Sequence, residues 1–232
     1  MYFFSIFIGL FTIFYAYFYI MKFEDQIRSF EGQPLTRQIL TNILKGYKRP
    51  YDKINELVRQ EALIPVKKGV FIPGPALHLL TPGSFLVANH LKGPSYISME
   101  TALSHWGLIP EKVFEITSAT VGRSETFDTP TGRFSYAHLP IPYYSFGQQS
   151  VRIAENQVAL VANAEKALCD KIVTTSGLLF RSILQLKDWL IEDMRMEKDV
   201  LRNLQPRIIH SWLTQAPKKQ ALRLLIKIIE DL

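Results

Sequence analysis

The chain has 232 residues, room for one or two domains with a sizeable core, and its 47% hydrophobic and 21% charged content excludes disorder over most of its length. The net charge is +6, from 27 Lys and Arg against 21 Asp and Glu, too modest an excess for a histone-like tail. A single cysteine, Cys169, excludes an internal disulfide framework and any Cys-based zinc cluster.

The chain opens on an apolar leader. Residues 1–21 carry no charge, 17 of the first 20 are apolar, and ten of the 28 aromatic residues fall there. A run of this length suffices to cross a bilayer as one helix. It lacks the basic start and small-residue cleavage site of a signal peptide. As a membrane segment it would leave the following domain in the cytoplasm, given Lys22 and Arg28 just after it. Two other readings stay open: a buried helix, or translated non-coding sequence ahead of a start at Met21, since Met21-Lys22-Phe23-Glu24-Asp25 reads as the polar opening of a soluble domain. The expected compartment is the cytoplasm, with membrane anchoring by residues 1–20 as the alternative.

Residues 22–75 read as a basic module of three helices and a hairpin. Phe23, Ile27 and Phe30 make one face of a short helix, which Gly32-Gln33-Pro34 breaks. Leu35, Ile39, Leu40, Ile43 and Leu44 line a second helix running to Lys45, with Gly46 as its stop. Tyr47-Lys48-Arg49 is the link, and Pro50 suits the first turn of a third helix carrying Tyr51, Ile54, Leu57 and Val58. Leu63-Ile64-Pro65-Val66 and Val70-Phe71-Ile72 then flank Lys67-Lys68-Gly69, a hairpin signal with a basic tip. This is the element order of a winged helix-turn-helix, whose third helix enters the major groove. Residues 22–73 hold ten basic against six acidic side chains. The candidate DNA contacts are Lys45, Lys48 and Arg49 ahead of the third helix, Lys53, Asn55 and Arg59 on it, and Lys67 and Lys68 at the hairpin. Lysine and arginine neutralise phosphates; Asn55 suits an adenine edge, and Arg59 or Lys53 a guanine. The same charges also fit a solvated helix face, and the same fold serves as a protein-interaction module.

Residues 76–232 differ in character. From 74 to 180 there are seven basic and eight acidic residues, so this part is no comparable nucleic-acid surface. Phe85-Leu86-Val87-Ala88 is a short apolar stretch, and 89–94 a turn-rich connection. Ser98 suits a helix cap, with Glu100 in the first turn, Ala102, Leu103 and Trp106 on the apolar side and Gly107 at the end. Period two over 113–118, 133–139, 151–154 and 158–161 predicts strands. Asn163 caps a helix beginning Ala164-Glu165-Lys166-Ala167-Leu168-Cys169-Asp170, and apolar spacing from about Leu178 predicts a helical tail. The fold class expected is α+β: a winged helix-turn-helix, then a mixed α/β domain with a helical C-terminal tail.

Chemical signatures are few. His78, His90, His105, His138 and His210 form no metal-ligand spacing, and no nucleophile elbow or phosphate loop occurs. Cys169 reads as a small packing residue, and Glu165 with Asp170 as a helix-surface pair or a partner contact rather than an acid–base dyad. No cofactor, metal or catalytic residue is expected, so the chain reads as a non-enzyme.

An ordered series of short motifs runs through this part. It begins with Gly93-Pro94-Ser95-Tyr96-Ile97-Ser98, Glu100, Ala102-Leu103 and Trp106-Gly107-Leu108-Ile109-Pro110-Glu111. It continues through Glu115-Ile116-Thr117-Ser118, Arg123, Phe127, Thr129-Pro130, Gly132, Phe134-Ser135-Tyr136 and His138, and closes on Glu165-Lys166-Ala167-Leu168 and Asp170. With the preceding basic module, the series resembles the AbiEi antitoxins of type IV toxin–antitoxin and phage-defence operons. The resemblance implies an N-terminal domain that binds operator DNA and represses its own operon. It implies a C-terminal antitoxin domain and a nucleotidyltransferase-like toxin encoded alongside, countered without a required stable complex. The motif residues carried over are Ser95, Tyr96, Ser98, Glu100, Trp106, Thr117, Ser118, Arg123, Tyr136, His138, Glu165, Lys166 and Asp170. This sequence departs from the pattern at Asn163-Ala164, where such proteins commonly carry Ser or Thr followed by Pro, and in its leader. The alternative is a winged-helix interaction module or an orphan regulator without antitoxin activity.

Overall fold

The computed structural model describes residue 23, residues 25–177 and residues 179–232. The leader and Leu178, the expected start of the tail, lie outside the described residues. Among the described residues no helix is long and apolar enough to cross a membrane. The chain forms two compact units that divide between Pro82 and Gly83.

In the N-terminal unit, Phe23 and Ile27 are buried on one side of a helical segment that tightens into a turn at Arg28–Phe30. Then come β1 (Leu35–Thr36), α1 (Arg37–Ile43), α2 (Pro50–Arg59), β2 (Leu63–Lys67) and β3 (Val70–Pro73). The strands form an antiparallel sheet in the order β1-β3-β2, with Leu35 opposite Phe71 and Ile64 opposite Ile72. Leu35 and Thr36 correct the sequence reading, which put them in the second helix. Their partners Phe71 and Val70 lie far along the chain. Thr36 instead caps α1, its Oγ1 accepting the Ile39 N–H at 3.3 Å. The helix also stops at Ile43, so Lys45 sits in the following turn. Leu35, Leu40, Leu44, Ile54, Leu57, Leu63 and Phe71 share one core with Leu77 and Leu79. Those last two leucines carry the unit to Pro82, past the expected boundary at Pro75. Gly74 has a packing reason: a Cβ there would lie 2.0 Å from the Glu61 carbonyl oxygen.

The C-terminal unit begins with α3 (Ser84–Leu91), β4 (Ser95–Ile97), α4 (Met99–His105), β5 (Ile116–Thr120), β6 (Glu125–Thr129) and β7 (Gly132–His138). It continues with α5 (Ile141–Tyr144), β8 (Gln148–Ala154), β9 (Gln157–Ala162) and α6 (Ala164–Thr174). The helical end comprises α7 (Ile183–Asp188), running into a wide π turn at Trp189–Asp193, then α8 (Lys198–Arg202), α9 (Pro206–Trp212) and α10 (Lys219–Glu230). The six strands form one mixed sheet, β6-β7-β5-β4-β9-β8, parallel at β7/β5 and β4/β9 and antiparallel elsewhere. The fold is thus α+β with a helical C-terminal end. Asn163 caps α6 as expected, accepting the Lys166 N–H at 2.8 Å. Two details differ from the sequence reading. Residues 84–91 are a helix whose Leu86, Val87, Ala88 and Leu91 are all buried, which hides the helical period. The alternation from Val113 becomes strand only at Ile116.

Candidate nucleic-acid interface

Helix α2 turns Lys53, Ile54 and Leu57 into the N-terminal core and leaves Tyr51, Asn55 and Arg59 exposed at successive four-residue steps. Lys45, Lys48 and Arg49 are exposed just upstream, and Arg49 lies 3.6 Å from Asp52 on the first turn. Gly69, with φ +85, makes the hairpin tip, where Lys68 is exposed and Lys67 half-buried. Lys53 corrects the expected set. It is 8% exposed, its Nζ donates to Glu56 Oε1 at 2.7 Å, and it lies over the Tyr47 ring, so it faces the core side and cannot read a base edge.

Arg37 lies outside the set expected from sequence. It is the first residue of α1, and its N–H donates to the Gly69 carbonyl at 2.8 Å. Its guanidinium stands 5.8 Å from the centre of the Tyr51 ring. Arg37 therefore ties the hairpin tip, the start of α1 and the exposed face of α2 into one surface. The sequence signal for it is the Thr36 cap, which fixes Arg37 at a helix start.

The thirteen motif residues of the C-terminal unit behave differently. Most are consumed inside the fold. Asp170 on α6 accepts three hydrogen bonds: from Tyr96 Oη at 2.9 Å, Ser98 Oγ at 2.7 Å and Lys166 Nζ at 2.6 Å. All four side chains are buried, and the Lys166 ammonium also lies 3.3 Å from the centre of the Tyr143 ring. Ser98 sits at the cap position of α4 but spends its hydroxyl on Asp170 instead. Around this centre, Thr117 Oγ1 donates to the Ser98 carbonyl at 2.6 Å, and Glu100 pairs with Lys171 to join α4 to α6. Ser95 and Ser118 are buried nearby on the adjoining strands β4 and β5, their hydroxyls without a hydrogen-bond partner among the described residues.

Other motif residues act as separate struts. Trp106 Nε1 donates to the Ala162 carbonyl at 2.7 Å, and Tyr136 Oη to that of Ala88 at 2.7 Å. His138 Nδ1 lies 3.1 and 3.0 Å from the carbonyls of Val121 and Gly122, contacts that require it to carry the proton. Glu165 Oε1 accepts the Gln205 N–H at 3.0 Å, ahead of α9. Only Arg123 lies exposed in a loop outside these contacts. Glu165 and Asp170 are thus no surface pair, since both are buried.

The electrostatics follow from this enclosure. Burial pushes the Lys166 pKa down while the adjacent Asp170 carboxylate pulls it up. Burial first, then Asp170, hold the Tyr96 and Tyr143 phenols well above their usual range, and the same pair of causes raises the Cys169 thiol. Among the described residues no group of three or more His, Cys, Asp or Glu stands ready to hold a metal ion.

No family model matches the chain, and no curated protein does. Among solved structures, the crystal structure of the RV2827C protein from Mycobacterium tuberculosis is similar to it. The two superpose with a TM-score of 0.54 at 15% identity, covering 85% of this chain and 71% of that one. At that identity the likeness shows a shared fold.

Proposed function

We propose that this protein is a DNA-binding autorepressor and antitoxin of the AbiEi kind, acting in the cytoplasm. The observation that carries the DNA-binding part is the surface shared by α2, the start of α1 and the hairpin tip. It brings Arg37, Arg49, Asn55, Arg59 and Lys68 to the solvent side of an arrangement ordered helix, β1, α1, α2, β2, β3. That order, with the sheet order β1-β3-β2, supports a winged helix-turn-helix, in which α2 enters the major groove and the hairpin lies against the backbone. Lys48, Arg49 and Lys68 then contact phosphates, and Asn55 and Arg59 read base edges.

The antitoxin part rests on the motif series. Eight of its members (Ser95, Tyr96, Ser98, Glu100, Thr117, Ser118, Lys166 and Asp170) are drawn from separate stretches of sequence into the β4–β5–α4–α6 region. This supports the resemblance as one of architecture: the motifs specify a scaffold, and antitoxicity belongs to the surface it carries. The counterpart is a nucleotidyltransferase-like toxin, and no catalysis by this chain is required.

Gel-shift titration with the DNA upstream of the protein's own reading frame tests the proposal. Asn55→Ala or Arg59→Ala is expected to weaken operator binding by about 1–3 kcal/mol and to relax sequence preference. Equal affinity of wild type for operator and unrelated duplex, or no effect of either substitution, would refute the operator reading.

A further inference from the structure

The helical end of the C-terminal unit carries an open groove of about 420 Å³ that the motif network does not use. Its floor is Phe180 and Trp189, rings 5.2 Å apart and each 8% exposed. Leu179, 73% exposed, forms one lip, and Leu184, 67% exposed, stands on the neighbouring α7. The other side is one helical face: Gln185, Asp188, Trp189, Glu192 and Asp193 recur at three, four, seven and eight residues across α7 and the π turn. Wide turns of this kind are frequent at functional sites.

The charge of this groove runs against that of the chain. Among the described residues every charged side chain lining it is acidic, although the chain as a whole is +6. Asp188, Glu192 and Asp193 form no ion pair with any described residue, and the nearby Arg195 is turned to Glu111 at 3.4 Å. Three unpaired carboxylates beside an aromatic floor repel phosphates, which excludes nucleic acid and anionic lipid as occupants. They favour a cationic partner with an apolar anchor.

We propose that this groove docks a basic amphipathic segment of a partner protein. One bulky apolar side chain seats over Phe180 and Trp189, and flanking Lys or Arg side chains meet Asp188, Glu192 and Asp193. This is helix-in-groove recognition, with apolar contacts for affinity and charge for selection. It is independent of the DNA-binding reading, because the groove belongs to the other unit.

The test uses the full chain and two synthetic helical peptides. One presents a Leu/Trp stripe flanked by arginines; the other has glutamate in place of every arginine. Fluorescence anisotropy is expected to show binding of the arginine peptide alone. Neutralising the rim by Asp188→Asn, Glu192→Gln and Asp193→Asn together weakens it about tenfold, the combined size of three exposed charge pairs. Leu184→Arg, at an exposed position, gives an independent loss of similar size. Failure of the arginine peptide to bind, equal binding of both peptides, or wild-type affinity in either variant overturns the proposal. So does concentration-dependent self-association that the triple variant abolishes without any peptide binding, which would assign the groove to a second copy of the chain.

Discussion

The two units use the same residue types to opposite ends. In the N-terminal unit lysine, arginine and asparagine gather on the solvent side of α2 and the hairpin, and the core beneath them is almost wholly apolar. In the C-terminal unit the most densely hydrogen-bonded polar side chains are inside. The comparison is sharpest between two lysines. Lys53 is itself 8% exposed, but it pairs with Glu56, whose side chain is 41% exposed. Lys166 and its partner Asp170 are both 0% exposed. The first pair is screened and contributes little. The second makes each partner a necessity for the other, since removal of either leaves an uncompensated buried charge.

The largest effect is therefore expected at Asp170. Asp170→Ala should destabilise the C-terminal unit by about 3–5 kcal/mol, with a smaller loss in the Lys166→Met, Asp170→Leu double variant. Chemical denaturation of the single and double variants checks this, and additive losses would break the contrast drawn between the units.

A pH effect of intermediate size follows from the same enclosure. Tyr96, Tyr143 and Cys169 hold their protons more tightly when folded than at their ordinary values of 10.0, 10.0 and 9.0. The unfolded chain releases those protons first, so their contribution is complete below about pH 9 and is lost as pH climbs beyond it. Lys166 acts in the other direction, because its lowered pKa leaves the unfolded chain protonated longer, up to its ordinary 10.5. Tyr136 and Tyr144 are raised by burial as well and Lys218 is lowered by it, so five groups act against two. Melting temperature should fall from about pH 9 upward, and a profile that rises over this range would contradict the burial of these groups.

The smallest effects are at the caps. Thr36→Ala in the N-terminal unit and Asn163→Ala in the C-terminal unit should each cost about 1 kcal/mol, read as paired shifts in denaturation midpoint. Equal losses at the two caps would show that the units differ in their polar interiors and not in ordinary helix capping.

Local chemistry was legible in the sequence. The hairpin turned by Gly69, the start of α2 at Pro50, the Asn163 cap and the helical tail all rest on residues within a few positions of one another. What escaped depends on distance. Leu35 and Thr36 are a strand only because Val70 and Phe71 lie beside them. Tyr96 and Ser98 reach Asp170 across 74 and 72 residues, so no spacing rule could join them. The family resemblance grouped these residues without saying that they face inward. Lys53 escaped for another reason. Its long stem lets a charged residue occupy the buried side of a helix, where pattern reading treats charge as exposed.

The measurement that bears most directly on the proposed DNA-binding surface is the salt dependence of duplex binding by the full chain. Wild type should show affinity falling steeply with salt, and replacing Lys48, Arg49 and Lys68 with Ala should flatten the log–log slope by about 0.9 for each phosphate no longer neutralised. Lys53→Met, on the core side of the same helix, should leave the slope unchanged. A flat wild-type profile, or equal slopes for wild type and the triple variant, would contradict the assignment of this face to DNA.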